Sequence, residues 1–220
     1  MKSTTVYIYV MTNDTGFAPC IDNDWLTLAC CKGGKKNGGM RTSAAKECAT
    51  GNTVYILGLC GIGLAKKTYM QYCPVYLAKI DKVFPMIEYF AGKGLSENRK
   101  DDVYMVINGE LEHKGEGFHH WDSEDAQKKD IGGKFVLSSH QFIYLGNKCG
   151  ESGLEIGEAF PEIIEDIKRR PRGYRVRRDF NEFEEAVKDW NWFPKDSNHC
   201  KIFSNYSINE NQVNRRGKCK

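Results

Sequence analysis

The stretch "TTVYIYVM", residues 4–11, is followed directly by "TNDTGFAPC", residues 12–20, and the prediction of the fold starts from these two segments. The first segment is rich in β-branched and aromatic residues and is apolar throughout, which predicts a central β-strand. The second segment predicts a turn, because Asp14 and Pro19 are turn formers. Phe17 is a large apolar side chain within that turn. We therefore expect it either to pack into the core or to form the wall of a site.

Strand patterns separated by short helical patterns follow this first strand. The segments "WLTLACC" (25–31), "TVYILGLCGIG" (53–63) and "KFVLSSHQFIYLG" (134–146) predict strands, and "RTSAAKECA" (41–49) predicts a helix. Two more helical stretches lie near the C-terminus on either side of a basic linker. This order predicts an α+β fold with short helices and C-terminal helices, and the glycines within residues 53–63 favour a curved or barrel-like mixed sheet.

The 220 residues are 40% hydrophobic and 28% charged, a composition typical of a packed globular protein. We expect a β-rich domain over residues 1–150 that binds a nucleotide or base, a helical extension packed on it over 151–195, and a polar basic tail over 196–220. No apolar run approaches the roughly 20 residues that span a bilayer. The first residues also lack the pattern of a signal peptide. These observations predict a cytoplasmic protein with no membrane partner.

The chain contains nine cysteines and no C-x-x-C pair. Without a secretory signal, reduced thiols are expected rather than a disulfide framework, and the spacings match no standard metal site. Cys31 is followed by Lys32 in a basic segment, and nearby positive charge favours the thiolate. Cys31 is therefore a candidate nucleophile, although no acid or histidine close in sequence completes a triad. The alternative is that the cysteines are small residues of the core.

The segment "HHWD", residues 119–122, places two imidazoles and a carboxylate within four positions. Imidazole transfers protons near neutral pH and also binds metals, so His119, His120 and Asp122 are candidate catalytic residues together with Cys31. Adjacent residues of a strand point to opposite faces, so a single site would use one histidine. We predict no metal and no cofactor, because a metal would need further ligands. A loop histidine without a function is the alternative.

Two segments are basic and contain no acid. Residues 32–46 carry five lysines and arginines, and "KRRPRGYRVRR", residues 168–178, carries seven. Such segments favour a phosphate-bearing partner, although solvated faces and linkers have the same composition. In the second segment arginine forks can bind phosphate oxygens, and Tyr174 can stack on a base.

In this order the motifs resemble a nucleotide-modification-associated domain family, the second of a numbered series, over nearly the whole chain. The shared positions are Asp14, Gly16, Phe17, Ala18, Pro19, Thr27, Leu28, Ala29, Cys31, Lys32, Arg41, Gly51, Gly58, Leu137, Ser138, Phe142, Tyr144, Gly146, Arg172, Gly173 and Arg175. The sequence departs from the family pattern at Gly33, Asn52 and Tyr174, where proline, an acid and histidine are usual.

The resemblance implies a role around modified bases in phage and bacterial genomes, including phage–host conflict. The glycine-flanked strand followed by "VYLAKIDKVF" is also similar to the barrels of the PUA, ASCH and EVE group, which hold a flipped or modified base. That similarity implies a base pocket in which Phe17 is a wall and Asp14 accepts a hydrogen bond from the base or orients the turn.

The sequence thus predicts binding of a nucleotide, or of a modified base in nucleic acid. Two alternatives stay open: an enzyme that modifies or cleaves a nucleotide or base, and a protein that senses or sequesters a free nucleotide signal. The expected partner is a nucleotide or nucleic acid, and the candidate binding residues are Asp14, Phe17, Lys32, Arg41, Ser138, His140, Arg172, Tyr174 and Arg175.

Overall fold

A computed structural model describes residues 2–22, 24–65, 70–92, 99–149, 156–189 and 201–202. Within these ranges helices and strands occupy similar shares of the chain, which confirms the mixed α+β class. The predicted basic tail over 196–220 lies outside the described residues except for 201–202. No helix of the described part is both long and apolar enough to cross a membrane.

The described ranges contain twelve strands and seven α-helices. The strands are β1 (Thr4–Met11), β2 (Cys20–Asp22), β3 (Trp25–Leu28), β4 (Thr53–Cys60), β5 (Pro74–Lys79), β6 (Lys82–Pro85), β7 (Tyr104–Ile107), β8 (Glu110–His113), β9 (Phe135–Ser139), β10 (Gln141–Tyr144), β11 (Tyr174–Arg177) and β12 (Lys201–Ile202). The helices are α1 (Gly39–Ala49), α2 (Ile62–Ala65), α3 (Met86–Phe90), α4 (Glu124–Gly132), α5 (Ile156–Ala159), α6 (Pro161–Arg169) and α7 (Asn181–Asp189).

These elements form two compact units, and each unit is assembled from separate stretches of the chain. Among the described residues, the first unit comprises 2–14, 47–81 and 139–202, and the second comprises 15–46 and 82–138. The described part of the segment 151–195 belongs to the first unit, together with β1. The sequence pattern that predicts one strand over 134–146 is divided as well. It forms β9 in the second unit and β10 in the first.

The first unit contains a six-stranded sheet in the order β11-β1-β4-β5-β10-β12. As expected, β1 is an inner strand, parallel to β4 and antiparallel to β11, and nearly all its side chains are buried. Helices α6 and α7 are amphipathic and bury Ile163, Ile167 and Phe183. The basic segment 168–178 was expected to be a linker, but its last part forms the edge strand β11.

The second unit contains a four-stranded sheet in the order β2-β3-β9-β6 and the hairpin β7–β8. Its apolar cluster is formed by Phe17, Ala29, Cys30, Met86, Tyr89, Val103, Tyr104 and Val136. A buried ion pair joins Arg99 Nε to Asp101 Oδ1 at 3.2 Å, and Asp101 also accepts hydrogen bonds from Thr27 and Tyr89. Burial and these polar contacts fix the core on which the loops of this unit rest.

None of the sheets in the described part of the chain closes into a barrel, so the barrel-like prediction is not confirmed. The glycines that suggested it have local roles. A Cβ atom at Gly58 would lie 2.4 Å from a ring carbon of Tyr76, at a register shift between β4 and β5. Glycine is needed there because the Tyr76 ring packs directly against the backbone.

Candidate functional site

Three side chains of different chemistry converge in the second unit. Cys31, His120 and Asp130 each present one sulfur, nitrogen or oxygen atom, and these three atoms lie within 4.8 Å of one another. The thiol residue is half-buried, whereas the histidine and the aspartate are buried. The cluster follows from the local structure of three segments: helix α4, the loop before it, and the turn after β3.

Helix α4 contributes the carboxylate. The helix begins after Ser123, whose Oγ accepts the backbone N–H of Ala126 at 3.3 Å, a standard N-cap. Near the other end, Asp130 is only 1% exposed. Its Oδ2 lies 2.7 Å from Nδ1 of His120 and accepts the Tyr104 hydroxyl at 3.2 Å, while its Oδ1 accepts the Cys31 backbone N–H at 2.5 Å. These hydrogen bonds hold the carboxylate in one orientation beside His120.

A tight turn places the imidazole of His120. The Trp121 N–H donates to the Phe118 carbonyl at 3.2 Å, and His120 in this turn has φ +69°, a left-handed conformation that favours glycine. The Gln127 side chain on α4 donates to the carbonyls of His120 and Trp121 at 2.9 and 3.2 Å. Gln127 and Asp130 are three positions apart, on one face of the helix. One helix face therefore holds both the backbone and the ring of His120.

The acceptor character of Asp130 fixes the tautomer of His120. A carboxylate can only accept, so Nδ1 of His120 carries the proton in this hydrogen bond. The neutral ring then has its basic lone pair on Nε2. A histidine oriented in this way by an aspartate, beside a thiol, has the composition of a cysteine–histidine–aspartate catalytic triad.

The thiol lies on a strained turn after β3. Cys31 and Lys32 both have positive φ angles, +55° and +50°. The loop that follows packs closely on α4, because a Cβ atom at Gly33 would lie 1.9 Å from the Lys129 carbonyl oxygen. The carbonyl of Lys32 accepts the Met40 N–H at 2.8 Å, at the start of α1. The glycine-rich segment is thus held between two helices and fixes the position of Cys31.

Arg41 is fully buried beneath this turn. Its guanidinium donates to the carbonyls of Cys31, Ala29, Phe135 and Asp130. Burial lowers the pKa of Arg41, and the charges of neighbouring groups, Asp130 and Cys31 among them, oppose that shift. We therefore propose that Arg41 shapes the turn and supplies positive charge near the Cys31 sulfur, in place of the ligand contact expected from the sequence. Positive charge nearby favours a thiolate.

Other thiols in the described part of the chain differ from Cys31 in their surroundings. Burial raises the pKa of Cys20 to about 12 and that of Cys48 to about 11, and it raises the pKa of Cys30 well above its usual range. These thiols stay protonated near neutral pH. Cys48 on α1 is half-buried, as Cys31 is, so it is a suitable comparison thiol within the same chain.

Phe17 joins the apolar core to the two histidines. It is 5% exposed, its ring centroid lies 4.0 Å from that of His119 and 5.4 Å from that of His120, and the two imidazoles are 4.2 Å apart. The residue is also part of the apolar cluster of the second unit. Phe17 therefore packs in the core, which is one of the two alternatives drawn from the sequence, and it also lies against the histidines; that it is the wall of a site stays a prediction.

Several predicted site residues are not part of this cluster. Asp14 belongs to the first unit, where it accepts the Tyr144 hydroxyl at 2.5 Å, so the "NDTGFAPC" motif is divided between two units. In the first unit His140 Nδ1 lies 3.0 Å from Asp81 Oδ2. Ser138 is fully buried within β9. Asp122 is exposed on its loop, and the carboxylate that meets His120 comes instead from Asp130.

The basic segment 168–178 is largely paired within the first unit. Four of its residues form ion pairs with carboxylates: Lys168 with Glu165, Arg170 and Arg175 with Asp166, and Arg178 with Glu47. Arg175 is also only 8% exposed. Arg172 is exposed, and the exposed Tyr174 ring lies 6.0 Å from that of Tyr7. Most of the positive charge seen in the sequence thus has a carboxylate partner from the same unit.

The sequence interpretation missed Asp130, Tyr104 and Gln127. A weak signal existed, because Ser123 before "EDAQKKD" has the pattern of a helix N-cap and predicts a helix that ends near Asp130. No pattern indicated that the acid at the end of this helix would be buried beside Cys31, which lies 99 positions earlier.

The same three residues could also bind a metal ion, since sulfur, imidazole nitrogen and carboxylate oxygen are all zinc ligands. Both carboxylate oxygens of Asp130 already accept hydrogen bonds, and Nδ1 of His120 bonds one of them at 2.7 Å. A metal ion would share the carboxylate with these bonds. The bond between His120 Nδ1 and Asp130 orients the imidazole as in a proton-transfer site.

Comparison with known families gives one match that covers most of the chain. The family model described as nucleotide modification associated domain 2 matches residues 3–199. No curated protein and no solved structure matches the chain significantly. The matched region includes all the residues of the cluster. The chain therefore belongs to the nucleotide modification associated domain 2 family.

Proposed function

We propose that this protein is a thiol-dependent enzyme that modifies or cleaves a nucleotide or base, with Cys31 as nucleophile, His120 as base and Asp130 as the group that orients the imidazole. The single observation that carries the proposal is the convergence of these three side chains within 4.8 Å. Membership of a family associated with nucleotide modification supports the choice of substrate class. This proposal selects the enzyme alternative among those drawn from the sequence.

The chemistry begins with transfer of the Cys31 proton to Nε2 of His120. The sulfur then forms a bond to an electrophilic carbon of the substrate, and the electron pair of the bond broken at that carbon moves to a neighbouring substrate atom. The imidazolium returns the proton to that atom. Asp130 stabilises the imidazolium through its bond to Nδ1.

Local strain supports a functional role for the cluster. Cys31, Lys32 and His120 all adopt left-handed backbone conformations, each of which costs of order 1–3 kcal/mol. Residues held in such conformations concentrate at active sites, where the surrounding structure keeps them in place. Here the surrounding structure is the set of bonds made by Arg41, Gln127 and Asp130.

Binding of nucleic acid by the first unit is a second candidate function. It rests on the exposed Arg172 and Tyr174, which together offer a guanidinium and an aromatic ring. The ion pairs within the basic segment leave this surface with less uncompensated charge than the sequence suggests.

The test compares alkylation of two half-buried thiols in the same protein. Iodoacetamide is added to the wild-type protein near neutral pH, and peptide mass spectrometry follows Cys31 and Cys48 separately. We expect Cys31 to react at least tenfold faster, because raised pKa keeps Cys48 protonated. The variant His120→Ala should remove most of that difference, since general base catalysis is worth about 10²–10⁴-fold.

Conversion of substrate is then followed by liquid chromatography and mass spectrometry on nucleotides and digested nucleic acid. Cys31→Ala should abolish any conversion, and Cys48→Ala should preserve it. Equal alkylation rates for the two thiols in the wild-type protein would refute the proposal. One tightly bound equivalent of zinc by elemental analysis would replace it with metal chemistry at the same residues.

A further inference from the structure

Two exposed aromatic residues flank the histidine pair. Phe118 and Trp121 are the first and last residues of the turn that contains His119 and His120, and they are 40% and 51% exposed. Large aromatic side chains normally bury much of their surface, so a pair left exposed beside a reactive centre indicates a contact surface.

The loop that carries this pair is held in place by hydrogen bonds. Nε2 of His113 lies 2.8 Å from the His119 carbonyl, and the Gly115 N–H donates to Nδ1 of His113 at 3.0 Å. Both bonds are satisfied by the neutral Nε2–H tautomer. Gln127 fixes the end of the turn, as described above. The aromatic rings are therefore presented on an ordered backbone, which reduces the entropy lost on binding.

Charge around the loop restricts what can bind there. Residues 109–125 contain six carboxylates and one lysine. That lysine, Lys114, forms an ion pair with Asp102 at 2.6 Å, and its Nζ lies 5.7 Å from the centroid of the Phe118 ring. Two of the carboxylates pair with lysines outside this range, Glu124 with Lys128 and Asp125 with Lys35 and Lys129, and the remaining four keep the loop acidic. A nucleic-acid strand carries a phosphate at every nucleotide and is attracted to basic surfaces. An acidic loop disfavours such a polymer, whereas a single base with few phosphates avoids most of the repulsion.

We propose that Phe118 and Trp121 form the base-stacking subsite of the thiol centre, and that its substrate is a free nucleoside or nucleotide rather than a base within nucleic acid. This inference rests on the proposed function of Cys31 and His120. The stacked base lies beside the turn whose two inner residues are the histidines. The aromatic faces bind the base, and Cys31 reacts with it or with the atoms attached to it.

Protection of Cys31 from iodoacetamide tests the subsite. The probes are a panel of common ribonucleosides, deoxyribonucleosides and their monophosphates, each titrated against the alkylation rate of Cys31, and a twelve-nucleotide single-stranded DNA of mixed sequence. At least one free nucleoside or nucleotide should slow alkylation, and the oligonucleotide should protect no better at equal base concentration. Stacking on one aromatic ring is worth about tenfold or more in affinity, so Phe118→Ala and Trp121→Ala should each raise the half-protecting concentration by about that factor.

Ile107→Ala is the matched control, because Ile107 is also exposed and apolar, on β7 of the same unit. It should leave protection unchanged. Ile107→Ala should also keep the wild-type alkylation rate without ligand. Protection is measured relative to each variant's own rate without ligand, which separates this inference from the proposed function. If Cys31 is alkylated rapidly and no free nucleoside or nucleotide protects it, the proposed subsite is wrong, and the proposal that Cys31 is the nucleophile is unaffected. Protection by the oligonucleotide at much lower concentration would overturn the choice of a free substrate.

Discussion

The basic segment 168–178 and the segment 113–130 look very different in the sequence, and the structure gives their charged residues different partners from those that the sequence suggests. The first has seven basic residues and no acid, and it looks like a phosphate-binding surface. In the structure, four of these residues pair with carboxylates of the same unit. The second segment contains more acids than bases and the predicted histidine pair, and it supplies His120 and Asp130 to the cluster with Cys31.

This comparison shows that the role of a run of charged residues depends on the residues that form ion pairs with it, and these can be distant in sequence. Arg178 meets Glu47 across 131 positions, and such a pairing has no local signature. A reactive site is likewise defined by convergence of residues that are distant in the chain. The following experiments compare matched residues from the two regions and their surroundings, in order of decreasing expected effect.

The largest expected effect is on the free energy of unfolding. Replacement of a buried arginine should lower it strongly, whereas replacement of an exposed arginine should hardly change it. Arg41→Met removes the donor shared by several buried carbonyls, and loss of a buried charged partner costs about 3–5 kcal/mol of unfolding free energy. Arg172→Ala in the basic segment should change stability by less than about 0.5 kcal/mol, because the side chain is exposed. Urea unfolding followed by circular dichroism measures both. Equal midpoints for the two variants would contradict the structural role of Arg41.

The next largest effect tests which aspartate orients the His120 imidazole. Asp130→Asn should lower the unfolding free energy by about 2–3 kcal/mol, since hydrogen bonds to a charged group are lost or weakened. It should also slow alkylation of Cys31 at least tenfold. Asp122→Asn is the matched control on the neighbouring exposed loop and should change neither quantity. An Asp122 variant that slows alkylation as much would restore the assignment made from the sequence.

Within the basic segment, Arg175 and Arg172 should behave differently. Arg175 is nearly buried and ion-paired with Asp166 at 3.0 Å, so Arg175→Ala should cost about 1–2 kcal/mol of stability. Any nucleic-acid binding by this surface should depend on Arg172, and Arg172→Ala should reduce the salt slope of binding by about one. Fluorescence anisotropy of a labelled oligonucleotide across a salt series gives that slope. An unchanged slope and affinity would assign the segment to structure alone.

The smallest expected effect is the contribution of the ion pair between Arg178 and Glu47 to stability, which depends on pH. The hydrogen bond from Arg178 lowers the pKa of Glu47 below its ordinary value of about 4.3. A carboxyl with a lowered pKa in the folded state stabilises the fold above the unfolded pKa, and this contribution is lost as pH falls through the folded pKa. The exposed arginine limits the contribution to less than about 1 kcal/mol. Urea midpoints of wild type and Arg178→Ala should therefore differ at pH 6, and the difference should shrink as pH falls from the ordinary pKa of a glutamate through the lowered folded pKa of Glu47.

Much of the secondary structure was predictable because it depends on short-range patterns. The apolar run at 4–11 is the inner strand β1, and the helix predicted over 41–49 is α1. Division of the pattern at 134–146 between two sheets was not predictable, since the residues on both sides of His140 have strand character. The glycines of residues 53–63 suggested a barrel, but Gly58 is explained by its close packing against Tyr76.

The site was predictable in part. Phe17, Cys31 and His120 were recognised from residue type and position, since an aromatic in a turn, a thiol beside lysine and a histidine pair are visible locally. Asp130 was not, because a helical acid is usually solvated and only tertiary packing buries this one. Arg41 was identified as a basic residue, but its complete burial depends on carbonyls from β-strand ends and α4 that no local pattern joins.

The division of the chain into two units has a consequence for mutations that shorten it. Within the described residues the chain passes from one unit to the other after residues 14, 46, 81 and 138, so neither unit is a continuous peptide. A stop codon after residue 138 would leave every segment of the candidate cluster but would remove β10, β11 and β12 from the six-stranded sheet. No single truncation yields a complete unit. Partial genes and nested deletions should therefore fail as folded proteins, and a rearranged gene that joins 15–46 to 82–138 would be needed to encode the described part of the second unit alone.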